Sequence, residues 1–121
     1  MSIDLADALR IPYRPGGRTL DGMDCWGLVM ELRKRAGLDT PELATGLDAS
    51  LWQALRNGRK VFTPLDEPTL WCIVAIKAPR SPHMGVRAPG GLVVHTTARK
   101  GVHVTPARDL PIRGYYELAT G

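Results

Sequence analysis

The stretch Gly22-Met23-Asp24-Cys25-Trp26-Gly27-Leu28-Val29-Met30-Glu31-Leu32 reads as a cysteine set in the first turn of a buried helix. Asp24 is a good N-cap, because its carboxylate can accept from the orphan amides of that turn. Cys25, Leu28, Val29, Leu32 and Ala36 then fall at i, i+3, i+4, i+7 and i+11, one apolar stripe of a helix. Glu31 and Arg35 make an i, i+4 pair away from the stripe, and Gly37 suits the position just past the end. The pattern predicts a helix from Asp24 to about Ala36. A thiol at a helix N-terminus sits where the backbone's partial positive charge favours thiolate, the state a nucleophilic cysteine needs. A lone cysteine on an apolar helical stripe is more often a small core hydrophobe than a nucleophile. The preceding stretch weighs against that. Ile11-Pro12-Tyr13-Arg14-Pro15-Gly16-Gly17-Arg18-Thr19 is dense in proline and glycine, so an irregular, turn-rich approach is expected. Such loops carry function on rigid scaffolds.

The 121 residues suit one domain, 1–121, with one core. Apolar residues make up 44% and charged residues 23%, the balance of an ordinary soluble globular chain. Sixteen basic and 12 acidic side chains leave a net charge of +4. The basic residues are scattered over Arg33-Lys34-Arg35, Arg56, Arg59-Lys60 and Arg99-Lys100 rather than gathered in a stripe. Nucleic acid is therefore not expected as a partner, whereas an anionic polymer such as a cell-wall glycan or its peptide carboxylates suits the charge. No stretch approaches the length of a membrane span. Met1-Ser2-Ile3-Asp4-Leu5-Ala6-Asp7 is acidic and lacks the apolar core of a secretory leader, so synthesis in the cytoplasm is expected. Cys25 opens a helix and Cys72 lies in a strand-like run, an arrangement that does not suggest a disulfide framework.

Along the chain, Leu5, Ala8 and Leu9 predict a short helix over 3–10, ending before Pro12. Residues 37–47 should be mostly irregular. Asp48 or Ser50 can cap a second helix with Leu51, Trp52 and Leu55 inward and Gly58 closing it. Val61-Phe62 suggests a brief strand before a turn-rich Pro64–Pro68. From Leu70 the chemistry becomes β. Leu70-Trp71-Cys72-Ile73-Val74-Ala75-Ile76 is a continuous run of β-formers, read as a central strand. Further strands follow at His83–Arg87, Gly91–Thr96, Gly101–Thr105 and Gly114–Leu118. The fold class is α+β, with N-terminal helices packed on an antiparallel β-meander of about five strands.

Cys25, His83 and His95 form the candidate site. A thiol needs an imidazole to take its proton, and that imidazole needs a third group to fix its tautomer. His83 begins one strand and His95 lies late in the next. A two-residue loop at Pro89-Gly90 would set His83 opposite Thr96 and turn His95 to the other face, whereas an odd loop sets both histidines directly opposite on one face. An odd loop or bulge is therefore expected, for which Gly90-Gly91 supplies a positive φ. His103 reads as a solvent-facing strand residue, although an odd loop at Arg99-Lys100 would bring it opposite His95. Cys25, His83, His95 and His103 are suitable zinc ligands, but they lack the short ligand spacing of structural zinc sites, and no metal or other cofactor is expected. Cys72, Trp52 and Trp71 read as core.

Taken together, Pro12-Tyr13, Gly16-Gly17, Asp24-Cys25-Trp26-Gly27-Leu28-Val29, His83-Met84-Gly85-Val86 and Val94-His95 resemble the NlpC/P60 family of cysteine peptidases. The likeness covers roughly residues 10–36 and 70–118. The form with tryptophan after the cysteine is similar to the branch found in tailed-phage tail proteins. The resemblance implies a papain-like α+β fold and a Cys-His-His triad in which Cys25 is the nucleophile, His83 the base and His95 the orienting residue. Tyr13, Asp24 and Trp26 would lie at the substrate-binding side. It also implies cleavage of peptidoglycan stem peptides, typically between γ-D-glutamate and the diamino acid. Other phage tail proteins would be partners, and the chain would pass from host cytoplasm to virion tail. A structural tail protein that keeps the fold with little catalysis is the alternative. Two positions depart from the family pattern. Trp26 stands where most members carry serine, and Pro68-Thr69-Leu70-Trp71 replaces the usual Gly-Asp before the first core strand.

Overall fold

The computed structural model describes residues 5–40, 62–78 and 83–118. The chain enters through a single 3-10 turn, Ala8–Arg10, where a longer helix was expected. Ile11 precedes a proline and is held extended, which stops the turn there. The proline- and glycine-rich loop then folds against itself. The Met23 N–H donates to the Pro12 carbonyl and the Arg14 N–H to the Met23 carbonyl, each at 3.0 Å. It ends in a two-residue ladder between β1 (Arg18–Thr19) and β2 (Gly22–Met23). A stretch read as wholly irregular thus acquires a small sheet, because its backbone groups need partners once the loop lies on the helix.

Helix α1 spans Cys25–Arg35 with Asp24 as N-cap and Ala36 as C-cap, within a residue of the expected bounds. Its buried side includes Trp26, Leu28, Val29 and Leu32, and also Arg33, which is 0% exposed. That charge is tolerated because its donors are used. The guanidinium forks onto the Glu117 carboxylate, with Nη1 3.1 Å from Oε2. Nη1 also donates to the Trp71 carbonyl at 2.7 Å, and Nε to the Thr40 hydroxyl at 2.8 Å.

The main sheet contains β3 (Phe62–Leu65), β4 (Ile73–Ile76), β5 (His83–Ala88), β6 (Leu92–Thr97), β7 (Gly101–Pro106) and β8 (Ile112–Leu118). It is antiparallel throughout, in the order β3-β8-β4-β5-β6-β7. The expected meander therefore holds from β4 to β7 only. A 3-10 turn at Ala107–Asp109 carries the chain back, and β8 inserts between β3 and β4. Two strand readings also change. Strand β4 starts at Ile73 rather than Leu70, because Trp71 takes a φ of +65° and leaves the extended path. Pro64, read as a turn residue, lies inside β3, which is the sheet's edge, where a missing N–H is tolerated. The expected second helix with Trp52 lies outside the described residues.

The two faces of the sheet differ. Ile73, Ala75, Met84, Val86, Ala88, Val94 and Val102 pack with Trp26, Leu28, Val29 and Leu32 of α1 in the principal core. Each fully buried valine, leucine, isoleucine or methionine among them stabilises by roughly 1.5–3 kcal/mol. The opposite face holds a smaller cluster of Val74, Ile76 and Val93 beneath Leu110, Ile112 and Tyr115. A helix against an antiparallel sheet is the α+β arrangement read from the sequence.

Candidate active site

The β5–β6 hairpin turns through three residues, Pro89-Gly90-Gly91, with φ of +80° and +74° at the two glycines. The odd loop sets His83 and His95 on one face, as expected, but not directly opposite. His95 pairs with Gly85, and His83 lies two residues farther along β5. The rings meet on the diagonal, His83 Nε2 lying 2.8 Å from His95 Nδ1. Gly85 makes this possible. A Cβ there would come within 2.8 Å of Val93 Cγ1 and of the Val94 carbonyl, and within 3.1 Å of the His95 Cβ. The glycine of His-x-Gly is therefore the gap across which one imidazole reaches the other.

The next turn, Ala98-Arg99-Lys100, is also three residues long and pairs His95 directly with His103 of β7. His103 is thus not the solvent-facing residue read from alternation alone. It is half-buried, its ring centroid is 4.1 Å from that of His95, and its Nδ1 donates to the Gly101 carbonyl at 2.8 Å. His95 reaches one partner more, Thr105, whose Oγ1 lies 2.9 Å from Nε2. Thr105 was not singled out from the sequence. The signal available was parity, since two odd loops put residues 83, 95, 103 and 105 on a common face.

Cys25 opens α1 beside β5. Its thiol receives the backbone N–H of Met84, which belongs to the peptide joined directly to His83, and that of Trp26. The thiol is nevertheless not the thiolate expected from the helix terminus. Burial pushes it from 9.0 up to about 11, and the charge of Asp24 adds to this, outweighing the two N–H groups and Arg18. The imidazoles are driven the other way. Burial and the neighbouring His103 take His83 down to about 4, and burial with His83, His103 and Lys100 takes His95 to about 3. At pH 7 the thiol is therefore protonated and both imidazoles are neutral.

The remaining expected site residues lie around the start of α1. Asp24 is buried and accepts from the Gly27 N–H at 2.8 Å, Arg18 Nη1 at 2.6 Å and the Gly16 N–H at 3.2 Å. It clamps the loop to the helix that carries the cysteine. Tyr13 is half-buried in that loop and bridges to Met23. Trp26 is 0% exposed, its ring packed edge-on against Phe62 with centroids 5.9 Å apart, so it supports the cysteine's turn from within the core. Cys72 is buried and its thiol is raised by desolvation. Among the described residues, no group of three His, Cys, Asp or Glu side chains is arranged to hold a metal ion, and no helix is long and apolar enough to cross a membrane.

The model of the family described as NlpC/P60 matches residues 10–116. The chain belongs to the NlpC/P60 family. No curated protein matches the sequence. Twelve chains of solved structure match. One is the crystal structure of the NlpC/p60 domain of the peptidoglycan hydrolase SagA, 18% identical, with a TM-score of 0.60 over 93% of this chain and 94% of that one. At that identity the likeness concerns the NlpC/P60 fold, which here supplies both the cysteine helix and the histidine hairpins.

Proposed function

We propose that the chain is a cysteine endopeptidase that hydrolyses peptidoglycan stem peptides, with Cys25 as nucleophile, His83 as base and His95 as the group that orients it. The observation that carries this reading is the His83 Nε2–His95 Nδ1 hydrogen bond of 2.8 Å, one peptide away from the N–H that meets the Cys25 thiol. With Nε2 engaged, Nδ1 of His83 is the nitrogen left to take the thiol proton. The thiolate then attacks the amide carbonyl, and the Cys25 backbone amide at the start of α1 would meet the developing oxyanion. The C–N bond breaks as His83 returns its proton to the leaving amine. Water, deprotonated by His83, hydrolyses the thioester. The family match and the likeness to a peptidoglycan hydrolase domain support the substrate class.

The setting proposed is a phage tail, where the protein would aid cell-wall penetration or tail assembly alongside other tail proteins. This rests on the Asp24-Cys25-Trp26 form of the motif. A second reading, a structural tail component without catalysis, draws on the protonated, desolvated thiol. Digestion of purified muropeptides, followed by chromatography and mass spectrometry, separates the two. New fragments with the wild type and none with Cys25→Ala are expected, and equal digests would overturn the peptidase.

A further inference from the structure

The hydrogen bond between His95 and Thr105 has a consequence for the direction of every proton in the site. A ring nitrogen of a neutral imidazole either donates or accepts. Both rings are neutral at pH 7, so the variable is their tautomers rather than their charge. The chain Thr105 Oγ1, His95 Nε2, His95 Nδ1, His83 Nε2 then has two possible polarities. In one, His95 Nε2–H donates to the Thr105 hydroxyl, His95 Nδ1 accepts from His83 Nε2–H, and His83 Nδ1 carries a lone pair. In the other, the hydroxyl donates to His95, His95 Nδ1–H donates to His83, and the proton of His83 sits on Nδ1. Only the first leaves a nitrogen able to take a proton from the thiol.

We propose that Thr105 is a positioning residue that holds His95 as its Nε2–H tautomer and so keeps Nδ1 of His83 basic. This inference rests on the peptidase reading. Thr105 is half-buried, so its own hydroxyl proton can be given outward while the oxygen accepts from the ring. His103 cannot take over this task. It lies against the His95 ring, and its Nδ1 is committed to the Gly101 carbonyl. Removing the hydroxyl leaves Nε2 of a ring that is only 4% exposed without that partner. An orphaned buried N–H is costlier than an orphaned lone pair, so the ring then moves its proton to Nδ1 and the whole polarity reverses. No proton passes through Thr105 in the reaction. The hydroxyl only decides which nitrogen is vacant.

The test uses the full chain labelled with 15N-histidine, whose three histidines are assigned with His103→Gln as reference. Long-range 1H–15N spectra at pH 7 report the tautomer of each ring, and muropeptide hydrolysis gives kcat and KM. In the wild type, His83 and His95 are expected as Nε2–H tautomers. In Thr105→Val, which keeps the branched shape, His95 should become the Nδ1–H tautomer, with kcat down about tenfold and KM unchanged. Thr105→Ser should restore both. Unchanged tautomers in Thr105→Val, or a loss that Thr105→Ser fails to restore, would overturn the inference. If the wild type cleaves no muropeptide, the peptidase reading fails by itself, and the tautomer shift alone decides the role of Thr105.

Discussion

Strands β5 to β7 present two faces built on opposite rules. On the helix side, Met84, Val86, Val94 and Val102 are held by contact with α1, and their worth depends on how much surface they hide. On the other side, His83, His95, His103 and Thr105 are held by direction, through hydrogen bonds of 2.8 and 2.9 Å and a ring contact of 4.1 Å. Neighbouring residues in one strand thus answer to different physics. A change of one methylene on the first face costs packing, and a change of one hydrogen-bonding atom on the second alters where the protons of the candidate site sit.

The sharpest contrast pairs a variant from each face. His83→Gln should lower kcat by roughly a hundredfold to ten-thousandfold, the usual share of a general base, with little change in melting temperature. Leu32→Ala, on the buried side of α1, should lose about 2–5 kcal/mol in urea denaturation while each folded molecule keeps its kcat. A Leu32→Ala protein that is stable but slow would break the division. Gly85→Ala is expected to move both readouts together. Its methyl must displace Val93 and push on His95, costing about 1–3 kcal/mol and slowing hydrolysis by opening the His83–His95 contact.

Acid gives a smaller and more graded test. His83 and His95 have folded values of about 4 and about 3, below the 6.5 of a free imidazole. The unfolded chain therefore binds protons first as pH falls, and stability rises with pH through this window. It should be fully present above about pH 6.5 and decline toward pH 3, with the melting temperature falling by about 5 °C or more. Replacing His83 with glutamine removes one of the two titrations, and calorimetry at several pH values should show a shallower decline.

The two faces also differ in how far the sequence discloses them. Helix α1 was legible because its signals are local. Asp24 caps it, the apolar spacing runs through it, and Gly37 follows its end. The pairing of His83 with His95 was legible as to face, since bringing both rings together required an odd loop that Gly90-Gly91 could supply, but not as to register. The diagonal offset depends on which residue pairs with His95, and that is settled across the hairpin. Thr105 carried no mark, because a threonine in a strand is ordinary until its neighbour's nitrogen is located. Arg33 was equally silent. It sits in a basic triplet, and its partner Glu117 is 84 residues away. The return of β8 to the middle of the sheet follows from such distant contacts. The break at Trp71 follows from the backbone turning there, which an apolar run does not encode.

That return has a consequence for how the protein comes into being. Strand β8 joins β3 to β4 and brings Glu117 to the buried Arg33. On the ribosome, a nascent chain that stops short of residue 112 has β3 unjoined to β4–β7, and an Arg33 whose carboxylate partner has yet to be made. Sequence-distant pairing of this kind makes assembly slow and places it late. The residues of the candidate site are thus synthesised before the strand that joins the sheet, which is complete only once residue 118 has been added.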